Sequence, residues 1–375
     1  MKSMKKLVLV GLILLASVMV LLPLIGCKSE VDPEPPKYTV KFSKGSNTDE
    51  VSDLPAELTV ESGTVLTAEQ LKSLADTENC CFTGWYDGET EVEAGTYKVT
   101  KDVTLTAGWV EKFITFKAEG KQGLKFRLHE GGGGNFTNFE EMLTAFEYSV
   151  NGGDWLVPEY DTFISFGGEA GSLRLRGKNL GGTAPLAPDG AIIYQASELT
   201  FETDSPVACT GDIRTLVDYE HPSTVDTTNA CFAYLFQNCS VLTKAPTLPA
   251  TTLADSCYMG MFAGCTSLAE APTLPATTLA DSCYMSMFAG CTSLAEAPTL
   301  PATTLADYCY LGMFTYCTSL SEVTMLATDI SAEYALDDWL YGVAPAGTIF
   351  TAADTTLPEE SIPVGWTVQD YVPQQ

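Results

Sequence analysis

The sequence predicts a multidomain, mainly β chain whose last part is a stacked solenoid with a 26-residue period. Three observations point there. The stretch from Cys257 to Ser282 matches Cys283 to Tyr308 at every position except Gly260/Ser286 and Ser282/Tyr308, and flanking units from Cys231 and Cys309 keep the skeleton. A fixed period of roughly 20–50 residues marks units that bury their apolar faces only against neighbours. Upstream, short alternating apolar segments between turn signals read as strands. At 375 residues the chain also exceeds one ordinary core, so two or three domains are expected.

The N-terminus sets the compartment. Met1 to Lys6 is basic, and Leu7 to Ile25 is apolar apart from Gly11, Ser17 and Pro23, as in the n- and h-regions of a secretory signal. It ends in Leu24-Ile25-Gly26-Cys27, which resembles a bacterial lipobox. The resemblance implies cleavage before Cys27, a diacylglyceryl group on its sulfur and acylation of its amine. A plain transmembrane anchor is the alternative, since an apolar run of this length could span a bilayer. Several acyl chains on one residue hold a protein stably. Residues 1–26 therefore read as a lipoprotein signal peptide, and 27–37, charged and Pro-rich, as an extended tether. The expected location is the bacterial cell envelope, lipid-anchored at Cys27, on the outer membrane and surface-exposed.

Residues 38–110 open with the alternation Tyr38 to Phe42, continue with a predicted helix over Thr67 to Ala75, and close with strand signals at Phe82 to Tyr86 and Val103 to Trp109. Phe82-x-Gly84-Trp85-Tyr86-x-Gly88 and the closing Val103-Thr104-Leu105-Thr106-Ala107-x-Trp109 resemble the internalin B-repeat-like module. That resemblance implies a small β-grasp unit acting as a spacer or weak adhesive module. Adjacent Cys80 and Cys81 and an acidic first loop depart from the pattern. Trp85 and Trp109 could stack on carbohydrate, but core aromatics of a small domain are the simpler expectation.

Residues 111–206 read as a β-sandwich: strand signals at Phe113 to Lys117, Tyr148 to Val150, Phe163 to Phe166, Leu173 to Arg176, Ile192 to Tyr194 and Leu199 to Phe201, with a tight hairpin turn at Asn151 to Asp154. Ser149-x-Asn151-x-Gly153-x-Trp155 is one residue short of an Asp-box and occurs once. The glycines 131–134 are not followed by a helix with Lys-Ser/Thr, so a phosphate loop is excluded.

Residues 207–375 hold the repeats. Met261-Phe262-x-Gly264-Cys265-x-Ser267-Leu268, Ala271-Pro272-x-Leu274-Pro275 and Leu279 resemble the BspA-like leucine-rich repeat family, and Phe recurs at 236, 262, 288 and 314. Ala-Pro before the second Leu departs from that family, and such a proline removes a ladder donor, so a short or irregular strand face is expected. Cys231, Cys257, Cys283 and Cys309 form one column, and Cys239, Cys265, Cys291 and Cys317 another. Beyond the array their slots carry Ala335, Val343 and Ile213, as a buried space-filler would. A buried thiol ladder is favoured over disulfides, and metal is not expected because zinc pairs are spaced more tightly. Terminal caps are expected near Val207 to His221 and from about Ser331.

Composition narrows function more than it names it. With 20 Lys+Arg against 48 Asp+Glu, net −28, nucleic acid is excluded as a partner. The two histidines, His129 and His221, sit in different segments without a catalytic context, so no enzyme and no cofactor are expected. The column Tyr258, Tyr284 and Tyr310 is the candidate ligand surface if it points outward; packing against the adjoining layer is the alternative. The acidic column Glu270, Glu296 and Glu322 reads as a solvated face. The expected function is a non-catalytic cell-surface lipoprotein whose repeats bind an extracellular or host protein, as the family resemblance implies for adhesion. The alternatives are glycan binding for nutrient capture and an envelope spacer.

Overall fold

The computed structural model describes residues 34–47, 49–128, 143–179, 197–228, 231–353 and 355–373. It is mainly β, with four open sheets and short 3-10 turns among the described residues, and no helix there is long and apolar enough to cross a membrane. The anchor residue Cys27, His129, the glycines 131–134 and the strand expected at 192–194 lie outside the described residues.

The first sheet runs Leu58–Glu61, Lys37–Ser43, Val103–Glu111, Cys80–Asp87, Thr90–Glu91. Lys37–Ser43 pairs in parallel with Val103–Glu111, and the other pairs are antiparallel. Alternation along the central strand turns Val103, Leu105 and Ala107 inward. Trp85 is buried and donates its indole N–H to the Lys72 carbonyl, while Trp109 donates to the Lys44 carbonyl. Phe82 packs edge-on against both rings. The helix expected over Thr67 to Ala75 is absent. One turn forms there, closed by Leu71 N–H on the Thr67 carbonyl and by reciprocal bonds between Thr67 and Gln70. Nine residues are too few to repay helix nucleation when only Leu71 and Leu74 are buried.

The next two sheets face each other through phenylalanines. One runs Leu242–Lys244, Val207–Thr210, Ile114–Ala118, Leu173–Gly177, Phe146–Val150; the other runs Ser197–Phe201, Gln122–Leu128, Ile164–Phe166. Phe116 meets Phe166 and Phe201, and Phe126 meets Phe146 at 5.3 Å between centroids. The hairpin turn stands where the sequence places it. Asn151 and Gly152 both take positive φ, 50° and 73°, and Gly153 N–H bonds to the Val150 carbonyl, as a two-residue hairpin loop requires. Val207–Thr210 pairs with Ile114–Ala118 on one side and with Leu242–Lys244 on the other. This sheet therefore crosses the boundary read at 206/207. One hydrophobic core runs from Ile114 to Trp366, apart from the separate core of Val40 to Ala107.

The repeat units lie side by side, and their backbones are bonded in a regular code. Tyr258, Gly260, Phe262 and Gly264 donate to carbonyls of Cys283, Met285, Met287 and Ala289 in the next unit at 2.7–3.0 Å. The intervening Met259, Met261, Ala263 and Cys265 donate back three residues, to Ser256, Tyr258, Gly260 and Phe262. Each N–H from Tyr258 to Cys265 is thereby satisfied without helix or strand. Such tandem turns need a left-handed residue at every fourth position: Ser256, Gly260, Gly264; Ser282, Ser286, Gly290; Tyr308, Gly312, Tyr316; Tyr334, Asp338, Gly342. Inside, Phe236, Phe262, Phe288 and Phe314 stack at 5.4–5.7 Å between centroids. On the proline-bearing side, units meet through isolated bridges such as Glu270↔Glu296 and Glu296↔Glu322. Where Val323-Thr324 replaces the Ala-Pro of the earlier units, a regular parallel sheet forms, Glu322–Met325, Gly347–Thr351, Trp366–Asp370.

Candidate functional site

Tyr258, Tyr284 and Tyr310 are not on the surface. They are 1–2 % exposed and stack as a second internal column on Phe232, at 5.8–6.1 Å between centroids. Their position beside the first cysteine column puts them inside because the tandem turns do not alternate faces as a strand does. Burial pushes all three phenols well above their ordinary pKa. The Tyr258 hydroxyl has no hydrogen-bond partner. The outward orientation is therefore corrected, and with it the surface role of this column.

A different set of tyrosines is exposed. Tyr308, Tyr316, Tyr334 and Tyr341 are 36 %, 56 %, 52 % and 57 % accessible, on the turn-bearing wall of the C-terminal units. Tyr308 and Tyr334 stack at 5.0 Å, and Tyr316 meets Tyr341 edge-on at 5.4 Å. Tyr308, Tyr316 and Tyr334 occupy left-handed positions, φ 57°, 58° and 55°, which Ser or Gly fills in the units before them. Gly342 leaves room for Tyr316, since a Cβ there would come within 2.7 Å of its ring. The Tyr308 phenol titrates above its ordinary range, first through loss of hydration and then through the negative charge of Tyr334, Glu333, Asp307 and Asp337. The sequence carried a signal for this site: Ser282/Tyr308 is one of only two differences between the most similar units, and both fall on left-handed positions.

The cysteines serve the interior. All eight column cysteines are buried thiols that form no disulfide. In the second column each thiol donates to a carbonyl of an earlier segment: Cys265 to Phe236, Cys291 to Phe262 and Cys317 to Phe288 at 3.0–3.2 Å, and Cys239 to Leu199. Alanine fills such a slot but cannot make that bond. Desolvation raises these thiols, Cys317 and Cys309 to about 12 and Cys231 to about 11, which keeps them protonated and unreactive.

Two further features were not anticipated. A cleft of 680 Å3 opens between 243–249 of one unit and Ala269 to Thr273 with Pro275 of the next. It opens because the first of these segments is drawn back onto Val207–Thr210, while Glu270 bridges forward to Glu296. Asp218, Glu220 and His221 bring ligand atoms within 4.8 Å of one another, but Glu220 pairs with Lys178 at 2.5 Å and Asp218 accepts the N–H groups of Glu220 and His221. That cluster is a surface turn braced by its own bonds. Glu270, Glu296 and Glu322 are exposed, in register along the proline-bearing side. Comparison with family models, with curated proteins and with solved structures gave no match to this chain.

Proposed function

We propose that this chain is a lipid-anchored surface protein of a bacterial envelope, held by acylated Cys27, whose residues 207–375 form a leucine-rich-repeat-type solenoid that binds an extracellular or host protein without catalysing a reaction. The modules of 38–110 and 111–206, read as a β-grasp unit and a β-sandwich, carry that array away from the membrane. One observation supports the reading above the others. The two most similar units differ only on the left-handed wall, at Gly260/Ser286 and Ser282/Tyr308, while their inward Phe, Leu and Cys are identical. A chain that varies only one face of a repeated unit is varying what it presents, because the constant face is committed to packing. Aromatic residues left exposed on that wall are the type enriched where proteins meet.

Two measurements test the reading. Labelled palmitate should enter the wild-type protein and not Cys27→Ser; labelling of neither removes the anchor. Immobilised extracellular-matrix protein should capture the full chain. If a glycan array captures it instead, the chain serves glycan uptake, and capture by neither surface leaves an envelope spacer.

A further inference from the structure

We infer that the exposed grid of Tyr308, Tyr316, Tyr334 and Tyr341 binds cationic side chains, a Lys- or Arg-rich segment of the partner protein. This rests on the reading of the repeats as a protein-binding surface and names the chemistry of the partner. From Ala245 to Gln375 the chain has no Lys, Arg or His, against fourteen Asp and Glu. Among the described residues, none of the carboxylates around the grid is engaged in an ion pair. Asp307 and Glu333 flank Tyr308 and Tyr334 in sequence, and Asp337 and Asp338 follow on the same unit. Aromatic faces ringed by uncompensated carboxylates attract a positive group twice, through the ring quadrupole and through net charge. An anionic glycan or a nucleic acid would be repelled. A neutral sugar would gain from the rings and nothing from the charge.

The placement of the tyrosines supports a presented surface. A bulky side chain at positive φ is strained, and the units before show that Ser or Gly serves the backbone at these positions. The strain is kept at three of four exposed rings. Their packing is pairwise and open, so a guanidinium or ammonium group can reach a ring face or edge beside a carboxylate.

The test uses the full chain and three labelled probes: octa-arginine, octa-glutamate and the neutral sugar cellohexaose. Octa-arginine alone should bind, and more weakly at high salt. The triple variant Tyr308→Ser, Tyr316→Gly, Tyr334→Ser carries the residues of the preceding units, so its thermal midpoint should hold or rise while octa-arginine affinity falls about tenfold, the loss of several cation–π contacts. The variant Ser282→Tyr adds a third ring to the Tyr308–Tyr334 stack, a column in which tyrosine already follows tyrosine from unit to unit, and should bind octa-arginine more tightly. Equal affinity in all three proteins would reduce the effect to diffuse charge and overturn the inference. So would preference for cellohexaose, or no binding. Matrix-protein capture that survives the triple variant sinks the cationic grid but leaves protein binding standing; a wild type that captures no protein sinks the broader reading, while octa-arginine still reports on the grid.

Discussion

Cysteine is used in this protein as a small hydrophobe with one hydrogen to give. Cys265, Cys291 and Cys317 each fill a closed slot and bond a phenylalanine carbonyl of the unit before. The consequence is a pH dependence of known sign. Folded thiols hold their protons above the ordinary value of 9.0, because burial disfavours the thiolate, and the buried phenols do so above 10.0. The unfolded chain releases those protons first, so stability is full below pH 9.0 and falls as pH climbs from there towards about 12, where Cys309 and Cys317 titrate. Urea midpoints measured from pH 7 upward should be level at first and then drop steeply above about 9. A midpoint that stays flat through that window would mean the thiols are accessible. Burial of Tyr258, Tyr284 and Tyr310 belongs to the same scale: the sequence placed them in a column but not on a side, because side depends on the turn type.

Within one unit, the left-handed positions decide what can be substituted. Gly264 and Gly290 are equivalent in sequence and differ in what lies beside them. A Cβ at Gly264 would meet the Asn238 side-chain oxygen at 2.6 Å, whereas at Gly290 the nearest atoms, on Gly264, are 3.7 Å away. Gly290→Ala should therefore cost about 1–2 kcal/mol, the penalty of alanine in this conformation. Gly264→Ala should lose roughly 1–3 kcal/mol more from overpacking, with part of that regained in an Asn238→Ser background. Equal losses in chemical denaturation would show that the neighbouring unit yields freely. The same stacking shapes Tyr234 over Gly260, where a Cβ would sit 2.6 Å from the ring. Bulk on one unit is matched by glycine on the next.

For the molecule as a whole, the repeats and the middle sheets share one core. Val207–Thr210 belongs to the sheet of Ile114–Ala118, so residues 207–375 expressed alone should be aggregated or partly unfolded, with one edge of its first strand left open. Removal of residues 283–308, one whole unit, should instead leave a folded chain of lower stability, because the unit from Cys257 then meets the unit from Cys309 through an equivalent interface. Removal of half that length would put the Phe and Cys columns out of register and abolish cooperative unfolding. Circular dichroism with urea titration separates these cases; similar behaviour of both deletions would contradict stacking in register.

The sequence by itself determined that 26 residues recur, which residues form columns, and that prolines interrupt one side of each unit, because these depend on spacing and on donors that proline lacks. It also located the hairpin at Asn151, where two left-handed residues are a local requirement. Tertiary structure decided which columns face inward, that the middle sheet captures Val207–Thr210, and that the exposed aromatics are Tyr308, Tyr316, Tyr334 and Tyr341. In tandem turns the direction of a side chain follows from hydrogen bonds to the next unit, 25 residues away, and no local period of helix or strand encodes it.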